Sequence, residues 1–117
     1  MQISIKRIYD QPDDDDSLRV LVDRLWPRGV KKGDAHIELW AKELAPTTDL
    51  RRWFNHDATK LGEFRSRYLE ELESRTEEVR ALFARAKDRK ITLLFAARDR
   101  SCNHAVILQE YLSGLDV

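Results

Sequence analysis

The segment from Val22 to Gly29 reads VDRLWPRG and places chemically versatile side chains directly after a short apolar run. Arg24 and Arg28 carry guanidinium groups, whose planar forks suit a phosphate or a carboxylate. Asp23 is a candidate general base, and the ring of Trp26 could stack on a planar ligand. These residue types indicate a site for an anionic ligand, but they do not name a reaction.

A second group of polar residues follows the apolar run from Ile91 to Ala97. Arg98 would hold the same anion, and Asp99 is a second candidate base. His104 is a candidate acid or base because histidine titrates near neutral pH, and Asn103 would hydrogen-bond the ligand. The predicted catalytic candidates are therefore Asp23, Asp99 and His104, and the predicted ligand-binding residues are Arg24, Arg28, Arg98, Asn103 and Trp26.

Several of these residues also have a simpler structural interpretation. Asp23 and Asp99 would form salt bridges at the ends of strands, and Trp26 and Trp53 would belong to the core. Cys102 precedes a predicted helix, whose N-terminus lowers a thiol pKa. No histidine or other base stands at a recognised spacing from it, so a nucleophilic Cys102 is not favoured.

Several common motifs are missing from the sequence: GxGxxG, GxxxxGK[ST], HExxH, GxSxG and paired CxxC. The sequence therefore gives no support for a dinucleotide-binding site, a P-loop or a zinc hydrolase. It does not identify a cofactor. Four consecutive acids, Asp13 to Asp16, predict a solvated loop. They do not predict a metal site, because neighbouring acids on a loop do not converge on one ion.

The strands that must position these residues follow from the apolar pattern. Alternation predicts a first strand over 2–8, and consecutive apolar residues predict strands over 19–24 and 91–97, the last one central and buried on both faces. The link between the first two strands would suit a hairpin, and an irregular parallel crossover is the open alternative.

The helices are predicted from spacing and capping. The first predicted helix is capped by Asp34, ends at Pro46 and has four apolar residues on one face: Ile37, Trp40, Ala41 and Leu44. A second, short helix is capped by Thr47, Thr48 or Asp49, and its inward side chains are Leu50, Trp53 and Phe54. Residues 61–88 form two helices divided by a capping box at Ser74–Glu77, or one helix of about 44 Å. The charges on this region, Glu71 among them, predict a solvated face. A last helix begins near Ser101 or Asn103 and ends at Gly114.

This order of elements predicts an α/β fold: a small, mainly parallel sheet of about three strands covered by several helices. Ligands of open α/β sheets bind beyond the carboxyl ends of the strands. If the strands at 19–24 and 91–97 are parallel neighbours, both polar groups meet at one edge of the sheet, beside the N-terminus of the last helix.

Composition narrows the classes of function. The 117 residues are 42% hydrophobic and 36% charged, which predicts one globular domain over residues 1–117. Lys+Arg and Asp+Glu both number 21, and a zero net charge argues against wrapping nucleic acid by bulk charge. The single cysteine excludes an internal disulfide. Because no apolar run approaches a membrane span or a signal peptide, a cytoplasmic location without a membrane partner is predicted.

Five segments resemble a known bacterial family. They are VLVDRLWPRG at 20–29, W-x-K-E-L-A-P at 40–46, LRRWFNHD at 50–57, F-x-x-x-Y-L-x-E-L at 64–72 and TLLFAARD…NHAVIL at 92–108. Together they resemble the YeaO-like proteins, which belong to domain of unknown function 488.

The resemblance implies a small intracellular α/β domain, and it names no reaction, cofactor or partner. Distant relatives carry a longer helical link between the first two strands, which favours a parallel arrangement. They also carry a Cys-His pair after the last strand. In this chain that pair falls on Asn103-His104, with Cys102 one place early, which lowers the case for a thiol role further.

Two classes of function follow. The first is an enzyme or binding domain for an anionic, phosphate- or nucleotide-like small molecule at the carboxyl-end edge of the sheet. The alternative is a nucleic-acid-associated or regulatory protein-interaction module without catalysis, favoured by nine Lys+Arg against six acids over residues 19–60 and by the tryptophans interleaved there. An exposed apolar face on the 61–88 helices would favour protein interaction. The oligomeric state stays open.

Overall fold

Four parallel strands form the sheet of this protein. The computed structural model describes residues 2–13, 15–31, 33 and 36–115. The strands within this part of the chain are β1 (Ile3–Arg7), β2 (Leu18–Leu21), β3 (Leu39–Trp40) and β4 (Ile91–Phe95). Their order in the sheet is β1-β4-β2-β3, and every neighbouring pair is parallel. All four carboxyl ends therefore lie at one edge of the sheet.

The predicted α/β class and the mainly parallel sheet are confirmed, with four strands in place of about three. β4 lies between β1 and β2, so the first two strands are not a hairpin, and that interpretation is wrong. The described part of the link between them contains no helix. β4 is buried at all five positions, as its continuous apolar sequence predicts.

Four helices lie on one face of the sheet in the described part of the chain: α1 (Thr48–Phe54), α2 (Leu61–Glu73), α3 (Thr76–Ala86) and α4 (His104–Leu115). Helical spacing of three to four residues brings Phe64, Tyr68 and Leu72 of α2 to the same side, where all three are buried. They join a large apolar core with inward-facing strand residues such as Val20 and Leu93. No described helix has the length and apolar composition of a membrane span.

The opposite face of the sheet is covered by loop segments. A smaller apolar cluster there contains Leu21 and Leu94, with Trp26 and Trp40 packed against them. Because strand side chains alternate between faces, Val20 and Leu21 belong to different clusters. The sheet is thus buried on both faces although its helices lie on one.

The helix predicted through Ile37 and Leu44 is wrong. Its middle forms β3, where the amide of Glu38 donates to Arg19 O and the amide of Ala41 donates to Leu21 O. A short 3₁₀ helix, Lys42–Leu44, follows. Strand pairing with β2 therefore overrides a helical spacing of apolar residues, and the proposed cap, Asp34, lies outside the described residues.

Other helix boundaries follow the sequence in part. Residues 61–88 do divide into two helices, but the capping box is wrong: the Ser74 hydroxyl donates to Glu71 O, and no side chain caps α3. Of the three predicted caps, Thr47 is the one that caps α1, accepting a hydrogen bond from the amide of Leu50 at 3.3 Å. Gly114 lies inside α4 and does not end it.

The acidic loop is exposed, as predicted, but it is also tied to the sheet. Lys6 Nζ lies 2.8 Å from Asp13 Oδ1, and Lys90 Nζ lies 3.3 Å from Asp15 Oδ2. Asp14 lies outside the described residues. Separate lysines therefore hold Asp13 and Asp15, and these contacts anchor the loop beside β1 and β4.

Glu71 joins α1 to α2 and is not simply part of a solvated face. Its carboxylate accepts two hydrogen bonds from Thr47, from the amide at 2.9 Å and from the hydroxyl at 2.7 Å. Thr47 is the residue that caps α1. The bidentate contact therefore fixes where α1 begins, and with it the direction of Arg51 and Phe54 farther along that helix.

We expect Glu71→Ala to lower the free energy of unfolding by about 1–3 kcal/mol, because hydrogen bonds to a charged group are lost and the Thr47 amide is left without its partner. Urea denaturation measures this change. The control is Glu70→Ala, which removes the neighbouring, exposed carboxylate and should change stability by less than about 0.5 kcal/mol. Equal effects of the two substitutions would contradict the anchoring role of Glu71.

Candidate functional site

A cavity of about 620 Å³ opens at the carboxyl ends of the strands. Its wall comes from the segments that follow β1, β2 and β4, from the region around α1, from Phe64 of α2 and from the beginning of α4. The volume is in the range of small-molecule sites. All eight residues predicted from the sequence line it: Asp23, Arg24, Trp26, Arg28, Arg98, Asp99, Asn103 and His104.

The cavity begins where two side chains replace one hydrogen bond between β2 and β4. The amide of Val22 still donates to Leu94 O at 3.0 Å. In a regular parallel ladder the next bond would run from the amide of Ala96 to Val22 O. Instead the Ala96 amide donates to Asp23 Oδ2 at 2.9 Å, and Val22 O accepts from Nε2 of His104 at 2.8 Å. The strands therefore separate here without leaving either backbone group unpaired.

The contact with Val22 O shows which ring nitrogen of His104 carries a hydrogen. A carbonyl oxygen only accepts, so Nε2 carries a hydrogen and donates it. Asp23 Oδ1 lies 3.2 Å from the same nitrogen, but it is buried and accepts no hydrogen bond from the described residues. Both side chains are 16% exposed. Asp23 and His104 thus form a largely buried pair that closes the end of the ladder.

The side chain of Arg24 connects the end of β2 to the segment that precedes α1. Its Nε donates to Pro46 O at 3.2 Å, and a terminal nitrogen donates to Ala45 O at 3.0 Å. Both carbonyls belong to cavity-lining residues. The guanidinium of Arg24 therefore organises the wall of the cavity, and part of its donor capacity is already used.

Asp99 and Asn103 organise the turn into α4. Asp99 Oδ1 accepts from the amides of Ser101 and Cys102, each at 2.9 Å, and these bonds lower the pKa of the carboxyl below its ordinary range. The Asn103 side chain donates to Asp99 O at 2.8 Å and accepts from the amide of Val106 at 3.2 Å. Asn103 is therefore the cap of α4, one of the two caps that the sequence allows.

Three arginines of the wall differ from Arg24. The side chains of Arg28, Arg51 and Arg98 are exposed and form no hydrogen bond or ion pair with any described residue. Their five-donor guanidinium groups therefore face the cavity rim with their binding capacity unused.

Packing and hydrogen bonds within the protein fix the positions of the tryptophan rings. Trp26 packs edge-on against Trp40, with 5.3 Å between ring centroids, and its indole nitrogen donates to Val30 O at 2.6 Å. The indole nitrogen of Trp40 donates to Asp23 O at 2.7 Å. Trp53 lies outside the cavity wall, and the cations of Lys60 and Arg67 contact its ring. Trp26 lines the cavity, but its main contacts are with the smaller apolar cluster.

Sequence reasoning missed part of the wall. Arg51, Phe54 and His56 reach it from α1 and the turn that follows, and Tyr9 and Leu25 lie on it as exposed apolar side chains. No spacing pattern identifies them, because α1 is separated along the chain from both strands. Cys102 also lines the wall, and burial together with the nearby carboxylates of Asp99 and Asp57 raises the pKa of its thiol.

Comparison with known proteins decides the family. The family described as "Inactive DUF488-N3 subclade" matches residues 2–115 of the chain. The chain belongs to the DUF488 family.

Two relatives extend this DUF488 assignment. Uncharacterized protein YeaO of Escherichia coli (strain K12) is 42% identical over 115 residues, which cover 98% of this chain and all of that protein. Uncharacterized protein Rv3073c of Mycobacterium tuberculosis (strain ATCC 25618 / H37Rv) is 38% identical over 115 residues, which cover 97% of this chain and 95% of that protein. No solved structure matches the DUF488 chain significantly. The predicted YeaO-like resemblance is confirmed.

We expect Asp23→Ala to expose the amide of Ala96, because nothing then replaces the missing ladder bond. The free energy of unfolding should fall by about 1–3 kcal/mol, and amide hydrogen exchange at Ala96 should become faster. The control is Asp88→Ala, which removes an exposed carboxylate at the turn after α3. Unchanged protection of Ala96 in Asp23→Ala would show that the carboxylate does not hold that amide.

The lowered pKa of Asp99 should make the free energy of unfolding depend on pH. Because its folded-state pKa is lowered, its contribution is complete above the ordinary aspartate range and is lost as the pH falls below about 4. The stability advantage of the wild type over Asp99→Asn should therefore be present at pH 7 and shrink between pH 4 and pH 2, measured by urea denaturation at each pH. An advantage that grows on acidification would contradict this assignment.

Proposed function

We propose that this protein binds a small anionic, phosphate- or nucleotide-like ligand in the carboxyl-end cavity and that it does so without catalysis. The observation that carries the proposal is the set of three exposed arginines on the wall, Arg28, Arg51 and Arg98, whose side chains form no hydrogen bond or ion pair with described residues. Guanidinium groups with free donors bind phosphates and carboxylates through paired hydrogen bonds.

The wall carries more arginines than acids: Arg24, Arg28, Arg51 and Arg98 against Asp23 and Asp99. Asp23 is turned toward the sheet, where it accepts the Ala96 amide. Asp99 is turned toward its own loop, where it accepts two amides. The wall also includes the beginning of α4, whose helix dipole adds positive potential. Cationic groups therefore outnumber carboxylates on the wall.

Binding without catalysis is favoured because the candidate catalytic groups have structural tasks. His104 Nε2 donates to a backbone carbonyl, and Asp99 Oδ1 accepts from its own loop. The raised pKa of Cys102 keeps the thiol protonated at neutral pH, which makes it a poor nucleophile. The matching family carries the word "Inactive" in its description, which supports the same choice.

The alternative functions gain no specific support from the geometry. A stacking platform for nucleic acid needs open aromatic faces, whereas Trp26 and Trp40 pack against each other. A protein-interaction surface on α2 and α3 needs exposed apolar residues. The exposed large apolar side chains in the described part of the chain are Tyr9, Leu25 and Leu115, and none of them lies on those helices.

Thermal-shift screening against nucleotides and phosphorylated metabolites tests the proposal. We expect a ligand that raises the melting temperature of the wild type, since a ligand at about 100 times its Kd stabilises by about 2.7 kcal/mol. Arg98→Ala and Arg28→Ala should each weaken binding by roughly 10-fold or more, because a charge-assisted hydrogen bond is lost. Added salt should weaken binding in the wild type.

The controls separate the site from general charge effects. Arg80→Ala removes an exposed arginine of α3 that is not part of the wall and should bind like the wild type. Arg24→Ala is unsuitable, because it would remove two hydrogen bonds that hold the wall. The proposal fails if no anion stabilises the protein, or if every stabilising anion binds the Arg28 and Arg98 variants as tightly as the wild type. A gel shift with DNA or RNA at low salt would instead support the nucleic-acid alternative.

A further inference from the structure

The wall of the cavity has two chemically different parts. Its buried members include the apolar residues Ala45, Pro46, Phe54 and Phe64. Phe54 and Phe64 are stacked with 4.1 Å between ring centroids and an interplanar angle of 15°. The inner part of the cavity therefore offers carbon surface, from which water is released favourably when an apolar group enters.

The exposed members of the wall include cationic and apolar side chains, together with Asp99 and His56. Arg28, Arg51 and Arg98 carry the charge, whereas Leu25 is 59% exposed and Tyr9 is 47% exposed. Apart from these two, Leu115 is the one large apolar side chain that is exposed in the described part of the chain. Two of the three exposed large apolar side chains in the described part of the chain therefore line this cavity.

A site for a bare inorganic anion would not need this carbon surface. A phosphate or sulfate ion is bound by donors alone, and an apolar wall behind it would only desolvate its charge. The combination of a carbon-lined interior with cations at the rim matches a molecule whose apolar body enters the cavity while its anionic group stays near solvent. Pockets of this size bury most of a ligand's surface, so the body contributes to affinity.

We propose that the ligand of this site is an organic anion in which a phosphate or carboxylate is joined to an apolar, ring-sized body, and that the body supplies much of the affinity. This inference rests on the proposed function, and it adds the class of the ligand. Leu25 and the Phe54–Phe64 pair contact the body, and the arginines of the rim contact the anionic group.

Two matched pairs of probes test the inference by isothermal titration calorimetry: phenyl phosphate against methyl phosphate, and benzoate against acetate. The members of each pair carry the same anionic group and differ in the apolar body. We expect the aromatic member to bind at least about tenfold more tightly, because burying a ring removes apolar surface from water. Comparison of the affinities for phenyl phosphate and benzoate also shows whether the site prefers a phosphate or a carboxylate.

Leu25→Ser tests whether the body lies in this cavity, because an exposed side chain can be replaced without disturbing the core. It should reduce the preference for the aromatic member at least about threefold, since part of the apolar contact is lost. The control is Leu115→Ser, which replaces a comparably exposed apolar side chain that does not line the cavity and should leave the preference unchanged.

Three results would count against the inference. Equal affinity within both pairs would overturn it and leave the proposed function standing, because the anion would still bind. An aromatic preference that is unchanged in Leu25→Ser would also overturn it, since the body would then lie elsewhere. If none of the four probes binds and no nucleotide or phosphorylated metabolite stabilises the protein in the thermal-shift screen, both the proposed function and this inference fail.

Discussion

The separation of β2 from β4 after Val22 is the constraint on which the candidate site depends. Two neighbouring parallel strands can part inside a protein only if the last backbone groups find other partners, because a buried unpaired amide or carbonyl is costly. Here Asp23 accepts the Ala96 amide and His104 donates to Val22 O. Two side chains thus replace one ladder bond, and the space between the diverging strand ends becomes the cavity.

This arrangement also explains why the most polar residues of the site are not all available to a ligand. Asp23, Arg24, Asp99 and Asn103 each bond to backbone groups that shape the wall. The arginines that stay free are the exposed ones at the rim. The first group of side chains maintains the shape of the cavity, and the exposed arginines provide free donors. A substitution in the first group would alter folding and binding together, whereas one in the second group acts on binding alone.

Much of the fold was predictable because its signals are local. The apolar run at 91–97 has the composition of a central strand, and β4 is buried throughout. Thr47 caps α1 as its position before Leu50 and Phe54 indicates. The errors arose where distant residues decide. Leu39 and Trp40 form a strand because β2 offers an unpaired edge, and Glu71 turns inward because Thr47 approaches it from another element.

The sequence by itself determined which polar residues follow the strands, and it indicated that they share one edge of the sheet if the strands are parallel neighbours. Tertiary structure alone decided what each of them does there. Arg24 and Arg98 are equivalent in the sequence, yet the first is held by two carbonyls and the second has no partner among the described residues. The contributions of Arg51, Phe54 and Leu25 were likewise decided only by packing. The physical reason is that a hydrogen bond depends on distances of a few ångströms between atoms far apart along the chain, and no local pattern records those distances.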